Sequence, residues 1–248
     1  MLVTIITPSY NQAKYLEQTI LSVLNQSYKN IEYIIMDGGS NDGSVDIIKK
    51  YEDRLSYWQS RPDGGQVKAI NKAFQMAKGE LVAFVNSDDI LQPNAVSALI
   101  RAYDVNPDYT VYYGLCSTID ADGNEIAKPK GGNLHYDVLL KRGMLPAIFQ
   151  PACFFNIKKI NRSYVLDENF PFAFDYELLL YLLKQGNFLF LHSHFASYRV
   201  HSDSKSIAHK KEHYLDKLRV QEHYSKKYWL LWKYRRLKME IAIRMGKF

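Results

Sequence analysis

Leu81-Val82-Ala83-Phe84-Val85 runs without a break into Asn86-Ser87-Asp88-Asp89, and the reading of this junction decides the fold class. Five apolar residues in a row describe a strand covered on both faces, as in parallel sheets, rather than one that alternates between core and water. A strand that ends in adjacent carboxylates delivers hard oxygen ligands to the carboxyl edge of a sheet, where open α/β folds hold their ligands. Such an edge suits a divalent cation and a diphosphate. The competing reading is a solvated turn in which Asp88 or Asp89 caps the helix that starts near Pro93.

Upstream of that junction the chain alternates. Leu2 to Thr7 and Ile31 to Met36 read as strands, and between them Leu16, Ile20, Val23 and Leu24 recur at helical spacing. Val45 to Tyr51 reads as a helix, Leu55 to Gln59 as a short strand, and Gln66 to Lys78 as a helix stopped by Gly79. Alternation of this kind predicts a mostly parallel central sheet flanked by helices, with right-handed crossovers. Downstream, Asn94 to Tyr103 is helical, and Thr110 to Tyr113 and Cys116 to Ile119 flank a glycine ahead of the turn Asp120-Ala121-Asp122-Gly123, which suggests a hairpin-type addition. Tyr136 to Lys141 and Asp175 to Gln185 read as helices; Cys153 to Asn156, Phe188 to Leu191 and Phe195 to Val200 read as strands.

A chain of 248 residues with 47% hydrophobic content can bury a full core. Cys116 and Cys153 have no CxxC or Cys/His spacing, which argues for a reducing compartment and against a disulfide framework or a zinc site. The opening residues lack the features of an export signal, and no apolar run approaches the roughly 20 residues of a spanning helix. The net charge of +6 is uneven: from Lys205 onward there are 13 Lys/Arg against 4 Asp/Glu, so residues 1–204 are net acidic. Two units are expected, a catalytic domain over 1–204 and a basic, amphipathic helical tail over 205–248.

Several turns carry chemistry-bearing side chains. Thr7-Pro8-Ser9-Tyr10-Asn11 ends the first strand, where a nucleobase could stack or hydrogen-bond; the alternative is a turn with Ser9 or Asn11 as helix cap. Asp37 opens Asp37-Gly38-Gly39-Ser40-Asn41-Asp42-Gly43-Ser44, and a carboxylate at that strand end can accept from a base N–H or a ribose hydroxyl. Asp42 or Ser44 is the candidate cap for the helix that follows. Arg61-Pro62-Asp63-Gly64-Gly65-Gln66 precedes a helix bearing Lys68, Asn71 and Lys72, a setting for an anion or simply a turn. Asp175 stands at a helix start among Phe172, Phe174 and Tyr176, so it is either a cap or a carboxylate whose pKa is raised toward that of a general base. His201 follows the last strand.

With these motifs in this order the chain resembles the family 2 inverting glycosyltransferases over roughly residues 1–205. The resemblance implies the GT-A nucleotide-diphospho-sugar transferase fold and transfer of a sugar, from a UDP-sugar, to a hydroxyl of a glycan or lipid-linked glycan in cell-surface polysaccharide synthesis. It further implies that Asp37 contacts the base, that Thr7, Pro8, Ser9, Tyr10, Asn71, Asn86 and Ser87 belong to the nucleotide site, that Asp88 with His201 ligates Mn2+ or Mg2+, and that Asp175 is the catalytic base. Asn86 stands where the family usually has its first Asp, which removes one negative charge, and Phe174 stands where Glu is frequent. Donor sugar and acceptor are expected to be read by loops such as 131–150.

Two other classes are weighed against this one. A sugar nucleotidyltransferase normally carries a Gly-rich basic loop after the first strand, and Thr-Pro-Ser-Tyr-Asn occupies that place. A nucleic-acid-binding protein would fit a pI near 9.0, but the excess charge is confined to the tail. In the tail, Tyr224, Tyr228, Leu231, Trp232, Met239, Ala242 and Ile243 share one arc at 100° per residue, opposite Lys226, Lys233, Arg236, Arg244 and Lys247. That arc either lies on an anionic membrane, giving a cytoplasmic protein peripheral to the inner face, or packs on the catalytic domain or a second subunit, which leaves a homodimer open.

Overall fold

The computed structural model describes residues 1–142, 148–160 and 166–245. Among the described residues nine strands form one sheet: β1 (Val3–Ser9), β2 (Ile31–Asp37), β3 (Tyr57–Ser60), β4 (Leu81–Phe84), β5 (Ile90–Leu91), β6 (Val111–Ile119), β7 (Glu125–Lys130), β8 (Cys153–Asn156) and β9 (Phe188–Arg199). Its order is β3-β2-β1-β4-β8-β6-β9-β5, with β7 paired to β6. The β3-β2-β1-β4 half is parallel throughout, as the alternating sequence predicts. Beyond β4 the sheet is mixed: β8 runs antiparallel to both β4 and β6, while β6 and β9 are parallel.

Period-two alternation splits the strands between two cores. Ile6, Ile34, Met36, Val82 and Phe84 enter one cluster, whereas Val3, Ile5, Tyr33, Ile35, Leu81 and Ala83 enter the other. Helices cover these faces: α1 (Ala13–Leu24), α2 (Ser44–Lys50), α3 (Gln66–Met76), α4 (Ala95–Val105), α5 (Tyr136–Arg142) and α6 (Phe174–Gln185). Among the described residues no helix is long and apolar enough to cross a membrane.

Some local expectations change. The two short segments around Gly114 are one strand, β6, and the hairpin partner after Asp120–Gly123 is Glu125–Lys130. Phe188–Leu191 and Phe195–Val200 likewise merge into β9, whose register shifts against β6 let it bend without ending. No side chain of Ser9 or Asn11 caps α1. Its first N–H groups are satisfied across space, Gln12 donating to Ser44 Oγ at 3.0 Å and Ala13 to Asp42 Oδ2 at 2.9 Å.

The described part of the tail holds three α-helices, α7 (Lys205–Ala208), α8 (Lys210–Tyr224) and α9 (Trp229–Arg244), with a short 3-10 turn between the last two. The apolar arc read from the sequence packs inward: Trp232 is buried in the same core as Leu178, Leu182 and Val220, with Tyr224, Tyr228 and Leu231 against it. Arg235 donates to the Lys141 carbonyl, and Arg236 pairs with Glu222 at 2.8 Å. Lys247 and residues 143–147 of the 131–150 loop lie outside the described residues.

Candidate active site

Above the carboxyl ends of β1 and β4 lies a cavity of about 520 Å3, lined among others by Pro8, Ser9, Tyr10, Asp63, Gln66, Asn86, Ser87, Asp88, Gln150, Asp175, Lys205, His209 and His213. The first strand end, the β3–α3 loop, the Asn86–Asp89 turn, the start of α6 and the tail thus meet at one opening. Tyr10 is 63% exposed, which a purely structural tyrosine would avoid and a stacking platform requires.

Asn86–Asp89 is held from behind. Asp89 is fully buried, its carboxylate accepting from the Arg199 backbone N–H at 2.9 Å and from Asn86 Nδ2 at 3.1 Å. Burial first, then the neighbouring Asp88, pushes the Asp89 carboxyl well above the usual range. Arg199, also fully buried, donates to the carbonyls of Asp88, Asp120 and Ala121 and to Gln18 Oε1, so its guanidinium fixes the turn from which Asp88 projects. Neither Asp88 nor Asp89 caps α4. Asn86 Oδ1 accepts from Gln66 Nε2 at 2.9 Å, and Gln66 Oε1 accepts from Lys205 Nζ at 3.1 Å, tying the turn to the tail.

Asp88 Oδ2 lies 3.0 Å from His201 Nε2, with the His201 ring buried against Tyr15 at 4.4 Å and its Nδ1 without a hydrogen-bond partner among the described residues. Among the described residues no group of three His, Cys, Asp or Glu side chains could hold a metal ion. Asp88 and His201 together could hold a cation that takes two protein ligands, one carboxylate oxygen and one imidazole nitrogen, and completes its shell with phosphate oxygens and water.

Asp175 is half-buried in the first turn of α6 and opens into the cavity, with Oδ1 accepting from Tyr176 N at 2.8 Å. Burial raises its pKa, a shift only partly opposed by that backbone bond and by His213. Across from it, burial lowers the pKa of Lys205 and of His213 while Asp175 pulls both upward.

Three residues read as nucleotide-binding are placed elsewhere. Asp37 is 0% exposed and spends its carboxylate on its own loop and the neighbouring strand, accepting from Gly39 N, Ser40 N, Ser40 Oγ and, at the end of β3, Ser60 Oγ between 2.6 and 3.1 Å. Thr7 is buried against the Tyr33 hydroxyl, because in a strand ending at Ser9 it faces the sheet interior. Asn71 exchanges two hydrogen bonds with the Leu166 backbone and pins that segment to α3. The open carboxylate near Tyr10 is instead Asp63. A Cβ on Gly38 would come within 3.2 Å of the Tyr10 ring and 3.4 Å of both Asp63 oxygens, so glycine there lets ring and carboxylate approach. Sequence reading passed over Asp63, Gln150, Arg199, Lys205, His209 and His213 as site residues. The Gly-rich loop containing Asp63 and the basic composition of the tail were the available signals.

A family model described as glycosyl transferase family 2 matches residues 4–206. An uncharacterized glycosyltransferase of Rickettsia typhi is 30% identical over 81% of this chain and 64% of its own length. The chondroitin synthase of Pasteurella multocida is 28% identical over 86% of this chain and 22% of its own length. The chain therefore spans less than two thirds of these relatives. Among solved structures, residues 1–349 of S. aureus TarS in complex with UDP superpose with a TM-score of 0.67 at 20% identity, over 90% of this chain and 65% of that one. A mannosyltransferase from Pyrobaculum calidifontis, solved with GDP-Man and Mn2+, gives 0.63 at 14% identity, over 88% and 63%. These likenesses establish the GT-A fold.

Proposed function

This chain belongs to glycosyl transferase family 2, and from that premise we propose that it is an inverting transferase moving a sugar from a UDP-sugar to a hydroxyl of a glycan or lipid-linked glycan, in polysaccharide synthesis. The observation that carries the reading is the convergence of Tyr10, Asp63, Asp88 and Asp175, from four separated stretches, on one cavity. Tyr10 offers a face for the base, and Asp63 beside it an acceptor for the imide N–H of uracil. The TarS complexes with UDP and UDP-GlcNAc fit this choice of nucleotide.

Asp175 serves as the base. The acceptor oxygen attacks the anomeric carbon, the bond from that carbon to the diphosphate oxygen breaks, and the acceptor proton passes to the Asp175 carboxylate. Burial that raises the pKa of Asp175 makes it a stronger base than a solvated aspartate. Asp88 and His201 would hold a divalent cation, Mn2+ or Mg2+, and such a cation would supply positive charge against the departing diphosphate. Lys205, hydrogen-bonded to Gln66, adds a fixed cation on the tail side of the same cavity. Two buried free thiols, Cys116 and Cys153, fit a reducing, cytoplasmic setting.

The test is a panel of nucleotide sugars assayed for transfer or hydrolysis with Mn2+ or with EDTA, alongside thermal shift. UDP-sugars should be turned over, and UDP with Mn2+ should raise the melting temperature. Stabilisation by an oligonucleotide with none by any nucleoside diphosphate would overturn the reading.

A further inference from the structure

With the predicted apolar arc of the tail packed inward, a different apolar stripe is left outside. Leu230, Tyr234, Leu237 and Ile241 on one face of α9, with Met245 just past its end, recur at steps of three or four residues, each between 48% and 65% exposed. Helical spacing of exposed apolar residues is unlike the scattered single exposures normal on soluble surfaces. The opposite face anchors the helix through buried Trp232 and Met239, and the contacts of Arg235 with the Lys141 carbonyl and of Arg236 with Glu222 hold it further, so the stripe is presented by a fixed element.

The charges bordering the stripe select its occupant. At 100° per residue Lys233 and Arg244 fall on one side and Lys238 on the other, while Lys226 and Lys227 precede the helix. All five are exposed, and among the described residues none has a salt-bridge partner. The one acid of α9, Glu240, lies beyond the Lys233 edge. Two copies meeting through this stripe across a two-fold axis would set these cations against their own counterparts. A bilayer surface carrying anionic headgroups meets them with opposite charge while its acyl boundary receives the apolar side chains, and Trp229 and Tyr234 are the aromatic types that settle at that level.

We propose that α9 docks this protein on an anionic lipid surface through Leu230, Tyr234, Leu237, Ile241 and Met245, with Lys233, Lys238 and Arg244 on the headgroups. The helix lies in the interface rather than crossing it, in keeping with its length and charge. The docked tail is the same segment that lends Lys205, His209 and His213 to the cavity. That connection orients the opening relative to the bilayer.

Sedimentation with lipid vesicles tests this without any donor or acceptor, so its outcome is independent of sugar transfer. The full chain should pellet with vesicles containing phosphatidylglycerol and remain in solution with pure phosphatidylcholine. Binding should fall at least about tenfold near 1 M salt, where the Debye length is about 3 Å. Leu237→Ser with Ile241→Ser, both at exposed positions, should keep the thermal melt and lose vesicle binding by about tenfold or more. Wild-type protein staying in the supernatant with phosphatidylglycerol vesicles would overturn the proposal, as would equal pelleting of the double variant. A concentration-dependent dimer abolished by the same two changes, with no vesicle binding, would assign the stripe to a second copy.

Discussion

Asp37 and Asp63 are both aspartates at the ends of adjacent parallel strands, yet only one is free to meet a ligand. Four donors from its own loop and from β3 consume Asp37, so Asp37→Ala should cost at least about 3 kcal/mol of stability, read from denaturant melts, because those donors lose their acceptor inside the protein. Asp63 accepts from Gly65 N at 2.8 Å and otherwise faces the cavity. Asp63→Ala should leave the melt nearly unchanged and weaken UDP binding by about 10- to 100-fold in calorimetry, the usual worth of a hydrogen bond to a charged group. Asp175 gives a separate expectation. Replacing it with Asn should lower turnover by about 10²- to 10⁴-fold with UDP binding retained. Since burial raises the Asp175 pKa, the deprotonated base is lost as pH falls through a value above the ordinary aspartate range. The acid limb of the kcat/KM profile should sit above that range and vanish in the Asn variant.

At the scale of elements, the site is held by contacts that run sideways between loops. The start of α1 depends on Asp42 and Ser44 of the next loop, and Asp42→Ala should destabilise the protein by about 1 kcal/mol, as for loss of a conventional N-cap. The Asn86–Asp89 turn depends on β9 through Arg199. An Arg199→Met variant keeps the volume but strands the carbonyls of Asp88, Asp120 and Ala121 and leaves the buried Asp89 carboxyl without its neighbouring cation. A loss of about 3–5 kcal/mol is expected in chemical denaturation, with manganese-dependent activity failing before the fold does. Strand and helix existence was legible for β1 to β4 because their apolar runs and stop signals are local. The bends in β6 and β9 were not: Gly114 in one and residues 192–194 in the other break the apolar runs, while pairing between the two strands carries both through.

For the whole molecule, the tail is part of the body rather than an appendage lying on it. Trp232 shares a core with α6 and α8, so Trp232→Ala should cost about 3–5 kcal/mol within the main unfolding transition, and an early separate transition in calorimetry would show the tail folding on its own. Amino-acid order alone determined the alternating parallel half of the sheet, the turn chemistry at each strand end and the candidate carboxylates, since these follow from spacing and residue type within a few positions. Which of them share a cavity was decided by tertiary structure. Ser60 closes on Asp37 across 23 residues, Lys205 reaches Gln66 across 139, and Arg199 binds the Asp88 carbonyl across 111. The same holds for the tail, where helical periodicity describes two apolar arcs and only packing against the body selects the one that remains at the surface.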